Sequence, residues 1–332
     1  MVSCRARSTF AVMDFPANER KGFTTWILCC CLWFLVIGAS GNQKGIDWHY
    51  GAKGTEEWAE LRMGGMNQCG GQFQSPINIQ THETSYNQSL GLLQYAGYEK
   101  HLRDAFVVNN GHTVLVAPKG GSIATVTARG LPGVYKFNQF HFHWGADSTI
   151  GTEHHIDGEA HAMEMHLVHT NKKYATAEEA YRHHDGLLVI GVLFEVSRHD
   201  NRALNSVVLS LDRMVKLRTK RAKLSKAVSL ADLLPSNPRE AYFYRGSLTT
   251  PPCAEAVTWA VLRKQGKISE EQLKAFRHLE AESEDEDNQE LLVNNFRPTM
   301  PLHGRHVYRN FLIVEGSVKG PLKGKAKLEK VR

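Results

Sequence analysis

The sequence predicts a mainly β protein with some helix (α+β), folded as a single sheet-centred domain. Short strand-like runs dominate between residues 42 and 315, and helical patterns there are few and short. No internal repeat and no Pro/Gly-rich linker divides this stretch. The hydrophobic content of 42% and the charged content of 22% match an ordinary globular protein, which excludes a fully disordered chain.

Seven runs are rich in the branched and aromatic residues that strands favour. They lie at 106–108, 113–117, 123–127, 135–143, 162–168, 187–196 and 256–262. Three other segments predict helix. Asn201–Val215 has apolar residues at i, i+3 and i+4, Ser229-Leu-Ala-Asp232 begins with a capping residue, and Ser269-Glu-Glu-Gln272 is a capping box.

Residues 1–41 predict a signal peptide. Four basic residues precede an uncharged run from Gly22, whose most apolar part is 26–37, and small residues follow at 38–41. This apolar core is shorter than the about 20 residues that a spanning helix needs. An uncleaved signal anchor is the alternative. We therefore expect a secreted, extracellular protein, with no transmembrane span in the mature chain 42–332.

Cysteine usage agrees with export. Four of the six cysteines fall in the segment that would be removed, which leaves Cys69 and Cys253. Two cysteines in an exported chain predict one disulfide. It would close a loop of 184 residues, the difference between 253 and 69. The alternative is two free buried thiols.

The charge of the mature chain does not indicate a nucleic-acid partner. Removal of residues 1–41 takes four basic and two acidic side chains from totals of 40 and 34, which leaves a net charge of +4. Residues 280–290 contain seven acids and predict a solvated segment. Residues 319–332 contain six basic residues and one acid and predict a disordered tail, 316–332, that either binds a polyanionic surface or is merely solvated.

Asn87-Gln88-Ser89 is an acceptor sequence for N-glycosylation. It is meaningful only if the chain is secreted, so we expect a glycan at Asn87 on that condition.

The motif with the most chemical content is Gln139-Phe-His-Phe-His-Trp144. Successive side chains on a strand point to opposite faces, so His141 and His143 share one face with Gln139. Two imidazoles at this spacing, with a third ligand from a neighbouring strand, would make a zinc site with one open position. The alternative is an ordinary half-exposed strand, because the chain has 17 histidines and chance pairs are expected.

His166 is the candidate for the third ligand. In the alternating run Met163–His169 it shares a face with Glu164, whereas His169 lies on the opposite face. Metal-bound histidines commonly donate their second N–H to a carboxylate, amide or carbonyl. Glu164 is placed to accept from His166, and Gln139 from His141. The adjacent pairs His154/His155 and His183/His184 are interpreted mostly as surface or structural residues.

These motifs resemble the α-class carbonic anhydrases, in particular the secreted branch with one disulfide. The resemblance covers about 48–311 and includes further matches at Thr152-Glu-His154, Ser247-Leu-Thr-Thr-Pro-Pro252, Gln74-Ser-Pro-Ile-Asn78, Asn110-Gly-His112 and Asn295-Phe-Arg-Pro298. It implies a catalytic domain at 42–315, with about ten twisted, mostly antiparallel strands and short peripheral helices. It also implies cis peptide bonds at Ser75-Pro76 and Pro251-Pro252.

The resemblance implies zinc bound by His141, His143 and His166, and reversible hydration of CO2 to bicarbonate and a proton. Zinc lowers the pKa of bound water to about 7, so hydroxide is available to attack CO2 at neutral pH. Thr249 would accept a hydrogen bond from that hydroxide and donate to Glu153. The carbonyl of Asn295 would accept from His143.

The remaining implied roles concern substrate and proton. Six residues of this chain correspond to the substrate pocket of the family: Val168, Val189, Leu248, Thr250, Val257 and Trp259. His112 corresponds to the proton shuttle, since a group with a pKa near 6.5 can both take and release the proton. Tyr50 and Asn110 correspond to residues that order the connecting water. Cys69 and Cys253 correspond to the disulfide, which would brace the loop carrying Thr249.

Two other functions remain open at this stage. One is an extracellular matrix or binding protein on the same fold with secondary catalysis, for which the charged tail is the only sequence support. The other is a zinc hydrolase of esters, which the narrow apolar pocket disfavours. Thr170, where many relatives carry Trp, and the basic tail are the two departures from the family pattern.

Overall fold

One large mixed sheet organises the part of the chain that the structure describes. The structure is a computed structural model and describes residues 48–313, apart from 52–53, 64, 103, 218 and 282–289. The predicted signal peptide and basic tail lie outside the described residues. The predicted single, mainly β architecture is confirmed.

Seventeen strands occur among the described residues, many of them short. They are β1 (Asn78–Ile79), β2 (Ser85–Tyr86), β3 (Gln94–Ala96), β4 (His101–Leu102), β5 (Ala105–Asn109), β6 (Val114–Pro118), β7 (Thr125–Thr127), β8 (Tyr135–Trp144), β9 (His155–Ile156), β10 (Met163–Asn171), β11 (Leu187–Ser197), β12 (Arg221–Lys223), β13 (Val228–Ser229), β14 (Ala241–Gly246), β15 (Val257–Leu262), β16 (Gly266–Ser269) and β17 (Tyr308–Arg309).

Helices are short and lie between the strands. The α-helices are α1 (Gly54–Glu57), α2 (Ala177–Ala180), α3 (Asn205–Leu217), α4 (Leu230–Leu233) and α5 (Glu270–Arg277). Three 3₁₀ turns add Trp58–Glu60, Thr81–Glu83 and Gln88–Leu90. None of the helices in the described part of the chain is long and apolar enough to cross a membrane.

The main sheet has thirteen strands, with the order β12-β5-β6-β8-β10-β11-β15-β14-β17-β2 and with β3, β7 and β16 paired off this path. Most pairs are antiparallel, and the parallel ones are β11–β15, β11–β16 and β17–β2. The sheet exceeds the expected ten strands because it includes pieces of only two or three residues at its margins. Such pieces are too short to show an alternating pattern.

Every predicted strand is present, with shifts at the ends. The sequence missed β14, whose first four residues are all buried, so it has no polar face to alternate with. The capping box at Ser269 is confirmed. The cap expected at Ser229 is wrong: α4 begins there, but the Ser229 hydroxyl donates to the carbonyl of Tyr98 instead of capping the helix.

Strand β8 contains a β-bulge. Val168 pairs with Gln139 but His169 pairs with Phe137, which leaves Asn138 as an extra residue on β8. The Asn138 amide donates to the Thr170 hydroxyl beside the bulge. The extra residue shifts the alternation of the strand by one position, so Tyr135 and Phe137 lie in the same core as Phe140 and Phe142.

Apolar side chains fill both sides of the sheet. The larger core lies on the side of Phe140, Phe142 and Trp144, all fully buried. Each such side chain contributes about 1.5–3 kcal/mol or more through burial. A second core on the opposite side includes Val189 and Trp259. Burial on both sides fixes the register, because a slip by one residue would turn histidines into the larger core.

A third, small cluster joins the early and late parts of the chain. It contains Trp48, Trp58 and the disulfide Cys69–Cys253, which confirms the predicted bond. Ser75-Pro76 and Pro251-Pro252 are both cis, as expected. The disulfide therefore attaches the segment that begins at Trp48 to the loop after β14.

Candidate metal centre

Three histidines converge on the face of the sheet opposite the larger core. His166 on β10 pairs directly with His141 on β8, and Glu164 pairs with His143. One ring nitrogen from each of the three histidines lies within 4.8 Å of the others. Exposed fractions of 7%, 0% and 1% for His141, His143 and His166 place the cluster inside the protein.

The hydrogen bonds of these rings fix which nitrogen carries the proton. A carbonyl only accepts, so His143 donates from Nδ1 to the Asn295 oxygen at 2.8 Å. His141 donates from Nδ1 to Gln139 Oε1 at 3.0 Å, and His166 donates from Nε2 to Glu164 Oε1 at 2.7 Å. Three lone pairs therefore remain: Nε2 of His141, Nε2 of His143 and Nδ1 of His166.

These lone pairs fit a divalent metal. His143 Nε2 and His166 Nδ1 lie 3.1 Å apart with no proton to share, which is repulsive unless a cation lies between them. Two nitrogens at 2.0–2.1 Å from a tetrahedral zinc would be about 3.3 Å apart, close to the observed separation. Burial lowers the pKa of all three rings, that of His143 to about 3, and the neutral form is the one that binds metal.

Glu164 connects the cluster to His154, one of the histidines that the sequence analysis interpreted as surface or structural residues. Its Oε1 also accepts from His154 Nδ1 at 2.7 Å, and its Oε2 accepts from the backbone N–H groups of Glu153 and His154 at 2.9 and 2.8 Å. Gly191, opposite His166, leaves space for this carboxylate, since a Cβ there would lie 3.1 Å from Oε1.

His154 is fully buried, so it is a structural residue and not a surface residue. Its Nε2 lies 2.6 Å from the hydroxyl of Tyr244, which also lies 3.0 Å from the hydroxyl of Ser75. With Glu164 and His166 it forms a second group whose ligand atoms lie close enough for a metal. However, the proton-bearing nitrogens of His154 and His166 both point at Glu164, so this group is a hydrogen-bonded network. His169 lies on the opposite face, beside the Tyr98 hydroxyl.

Glu153 lies beside the three lone pairs. Its Oε2 is 3.5 Å from His143 Nε2 and 3.8 Å from His166 Nδ1, and it has no hydrogen-bond partner among the described residues. Burial and the charge of Glu164 raise the pKa of Glu153, against the effects of Thr249 and Arg297. A bound cation would stabilise this buried carboxylate in its ionised form, so the unpartnered oxygen fits a metal in this cluster.

Arg297 is a functional candidate that the sequence did not reveal. Its backbone N–H donates to Glu153 Oε1 at 2.8 Å, and its buried guanidinium donates to Gln74 and to the carbonyls of Ser75 and Cys69. Burial lowers its pKa to about 10, against the opposing charge of Glu153. Arg297 therefore connects Glu153 to the segment carrying the disulfide. Its only sequence signal is its place in the motif 295–298.

The loop carrying Thr249 and Thr250 is held from both sides. The Leu248 N–H donates to the Ala254 carbonyl, and the Cys253 N–H donates to the Thr250 carbonyl. Both threonines are buried, and the disulfide fixes the end of the loop. Hydrogen bonding by the Thr249 side chain lowers the pKa of Glu153. The two residues expected to work as a pair therefore lie together.

The predicted pocket residues share one apolar cluster. Val168, Val189, Val257 and Trp259 are buried in the second core, and Leu248 packs against it half-buried. The Trp259 ring lies 4.7 Å from the His166 ring. The apolar cluster is thus in contact with the metal centre.

The predicted proton-path residues are Tyr50, Asn110 and His112. The ring of His112 stacks on Trp48 at 3.8 Å. Asn110 Oδ1 accepts from the backbone of His112 and Thr113, so it stabilises the turn. The hydroxyl of Tyr50 is buried with no hydrogen-bond partner in the described residues, and its pKa is raised by burial and by Glu153.

Asn87 lies apart from this centre. It follows β2, at the end of the main sheet, and its side chain accepts from the Ser89 N–H. Its side chain is half-buried.

Comparison with known proteins gives a consistent result. Residues 53–311 match the model of the eukaryotic-type carbonic anhydrase family. The chain is 41% identical to carbonic anhydrase 7 of Homo sapiens over 267 residues, which cover 80% of this chain and 97% of that protein. It is 39% identical to carbonic anhydrase 6 of Homo sapiens over 84% of this chain and 87% of that protein. Carbonic anhydrase 15 of Mus musculus is 34% identical, over 85% and 89%.

Proposed function

Because the chain belongs to the eukaryotic-type carbonic anhydrase family, we propose that it catalyses the zinc-dependent, reversible hydration of CO2 to bicarbonate and a proton. The observation that carries this proposal is the convergence of three unprotonated ring nitrogens from His141, His143 and His166 beside an unpartnered buried carboxylate oxygen. A bound zinc supplies a water whose pKa is lowered to about 7, and with it a hydroxide nucleophile at neutral pH.

The chain's own residues orient the ligands. Gln139, Asn295 and Glu164 each accept the second ring N–H of one ligand histidine, which fixes its tautomer and its orientation. The two shared strands keep His141 and His166 in register. The sheet therefore preorganises the three ligand histidines, and a segment outside the strands supplies the acceptor at Asn295.

Thr249 and Glu153 orient the nucleophile. When Glu153 is ionised it only accepts hydrogen bonds, so the Thr249 hydroxyl donates to it. The Thr249 oxygen can then only accept a hydrogen bond. It therefore holds the nucleophile through the nucleophile's own O–H group, which leaves a lone pair of the nucleophile directed at the substrate carbon. Arg297 holds Glu153 in place through its backbone N–H.

The apolar cluster binds CO2. Because CO2 is uncharged and weakly polar, a wall without strong donors suits it and excludes competing water. The members of the pocket are Val168, Val189, Leu248, Val257 and Trp259, with Thr250 as its polar edge. The second core also needs these residues for its packing, so the same side chains serve both CO2 binding and the stability of the fold.

His112 carries the product proton to solvent, and Tyr50 and Asn110 order the water between it and the metal. An imidazole titrates near neutral pH, so it can accept the proton and pass it to buffer within one cycle. The Trp48 ring under His112 gives the imidazole a defined resting position at the edge of the site.

We further propose that residues 1–41 form a signal peptide, 42–315 the catalytic domain and 316–332 a solvated basic tail that binds a polyanionic surface. The disulfide Cys69–Cys253 supports secretion, because such bonds persist outside the cytosol. On this proposal Asn87 carries a glycan. Deletion of 319–332 should reduce adsorption to anionic polymer, and unchanged adsorption would contradict the role of the tail.

The first experiment is stopped-flow CO2 hydration by the full-length gene product, purified from a secretory host and loaded with one equivalent of zinc. We expect fast hydration that is lost on chelation, and loss of both zinc and activity in His141→Ala. His199→Ala, an exposed histidine far along the chain, is the matched control and should retain both. A rate no better than buffer with zinc bound would contradict the proposal and favour a matrix or binding role.

A further inference from the structure

A strongly basic segment lies outside the metal centre. Residues 212–226 contain seven basic side chains and one acid, a net charge of +6 that equals the charge of the whole chain. Within it, Lys220, Arg221 and Lys223 are exposed. We name these three residues, on and beside β12, the basic edge.

The basic edge occupies the end of the main sheet. β12 is the first strand in the sheet order and pairs with β5, with no second partner among the described strands. Arg221 and Lys223 are two residues apart, so both side chains point to one face about 7 Å from each other. The Thr219 hydroxyl is hydrogen-bonded to the backbone N–H and the carbonyl of Arg221, so a ligand would bind the side chains and not the strand backbone. Two cations on one face of the outermost strand suit a linear polyanion.

Neighbouring elements add charge of the same sign. Lys223 pairs with Asp104 at 3.1 Å, and the backbone of Lys119 donates to the carbonyl of the same aspartate. Lys119 is exposed there. The exposed Lys216 in the last turn of α3 lies four residues before Lys220. Asp104 neutralises one cation. The exposed Glu280 also lies nearby, because Asn109 donates its backbone N–H to the Lys220 carbonyl and its side-chain amide to the Glu280 carbonyl. The five cations named here still outnumber these two acids.

The basic edge is separate from the metal centre but lies on the same face of the sheet. Arg221, Val108, Leu115 and His141 are successive partners across β12, β5, β6 and β8. Paired residues share a face, and three strand spacings of about 4.8 Å place the Arg221 Cα roughly 14 Å from that of His141. The basic edge therefore flanks the site without contributing to it.

We propose that the basic edge binds a sulfated polysaccharide. Lys-Arg-Ala-Lys within a basic run is a pattern typical of heparin or nucleic-acid surfaces. Single-stranded nucleic acid is disfavoured, because in the part of the chain that the structure describes the half-exposed Phe106 ring beside the basic edge is covered by the Arg221 guanidinium at 4.0 Å. Single strands need such a ring for base stacking. Sulfate groups need only charge and N–H donors in a row.

The test compares two variants with the same loss of charge. The first replaces Lys220, Arg221 and Lys223 by Gln, and the control replaces the exposed Lys136, Lys172 and Lys264 by Gln. Both retain the basic tail, so the tail contributes equally. Binding to a heparin decasaccharide is measured by calorimetry at several salt concentrations, with N- and O-desulfated heparin, oligo-dT and phosphatidylserine vesicles as further probes.

We expect the first variant to lose at least tenfold in heparin affinity at 0.15 M salt, and its slope of log K against log salt to fall by about two to three, since each lost contact releases about one counterion fewer. The control should remain within twofold of the unmodified chain, and desulfated heparin should not bind. Both variants should retain CO2 hydration. Arg221→Lys, which keeps the charge but removes the guanidinium, should bind heparin normally.

Equal heparin affinity in the two triple variants would overturn the proposal, because binding would then follow total charge or the tail. Tighter binding of oligo-dT or of the vesicles than of heparin, lost in the same variant, would overturn the assignment to a sulfated polysaccharide. If the triple variant unfolds, the pair Lys220→Gln and Lys223→Gln leaves the Arg221–Phe106 contact intact, and it is compared with the control pair Lys136→Gln and Lys172→Gln, which loses the same charge.

Discussion

Replacement of Glu164 by Gln should weaken zinc binding through the protonation of His166. The carboxylate accepts four hydrogen bonds, two ring N–H groups at Oε1 and two backbone N–H groups at Oε2. Glutamine has the same volume, but its amide nitrogen donates. Whichever way the amide turns, two donors face that nitrogen. Glu164→Gln is therefore a test of hydrogen-bond direction at nearly constant shape.

The two amide orientations have different costs. With the nitrogen toward the backbone of Glu153 and His154, two N–H groups lose their acceptor, at about 1–3 kcal/mol each. With the nitrogen toward the rings, His154 and His166 must each move a proton to the other nitrogen. His166 would then carry its proton on Nδ1, the atom that faces His143 Nε2. Its lone pair would no longer be available to a metal.

We expect the zinc dissociation constant to rise about 10–100-fold, or roughly 1.4–2.7 kcal/mol. Burial raises the pKa of Glu164, but its electrostatic interactions and hydrogen bonds with the His154 and His166 rings outweigh this effect and hold it well below its usual value. The variant therefore also removes a permanent negative charge. Zinc affinity is measured by competition with a fluorescent chelator, and urea unfolding of the metal-free protein reports the structural cost.

Glu159→Gln, on an exposed carboxylate near the same strands, is the matched control and should leave zinc affinity unchanged. If Glu164→Gln binds zinc within twofold of the unmodified chain while the fold is intact, the argument that Glu164 sets the protonation of His166 is wrong.

Three further predictions concern the proton path, the disulfide and a buried histidine. His112→Ala should slow CO2 hydration in weak buffer and be rescued by imidazole, and an unchanged rate without rescue would assign the proton to another group. Joint replacement of Cys69 and Cys253 by Ser should lower the free energy of unfolding by up to about 5 kcal/mol in urea titrations, the loop-entropy value for 184 residues, and a loss under 1 kcal/mol would contradict it. Burial lowers the pKa of His169 to about 4. The unfolded chain therefore binds a proton between pH 6.5 and 4 that the folded chain does not, so stability should fall as pH falls through this window, by up to about 3 kcal/mol. His169→Gln should show a shallower loss than the unmodified chain between pH 7 and 5, and equal slopes would refute the assignment.

The sequence predicted the convergence of three histidines because strand alternation is a local property. His141, His143 and His166 lie on the face that a period of two assigns to them, with Glu164 and Gln139 beside them. Partners far away in the chain are less accessible to such reasoning. Arg297 acts on residues more than 140 positions away, and only the folded sheet brings them together.

Other omissions have local reasons. β14 is buried on both faces, so it lacks the polar positions that mark a half-exposed strand. His154 was grouped with its neighbour His155 as an adjacent pair, although only His154 is fully buried. The bulge in β8 did leave a signal: the apolar positions are odd at Tyr135 and Phe137 and even at Phe140 and Phe142. That change of parity marks the extra residue.

The bulge at Asn138 has a consequence for the evolution of this protein. Because one extra residue separates two stretches of opposite parity, the alternation of β8 survives a one-residue deletion at the bulge but not elsewhere in the strand. Deletion of the codon at 138 would remove the extra residue, and regular alternation would then leave Tyr135 and Phe137 in the apolar core. Deletion of a codon between His141 and His143 would instead turn one of these histidines into that core. We therefore expect substitutions to accumulate in this strand during divergence, while insertions and deletions are confined to the bulge and to the loops that flank the strand.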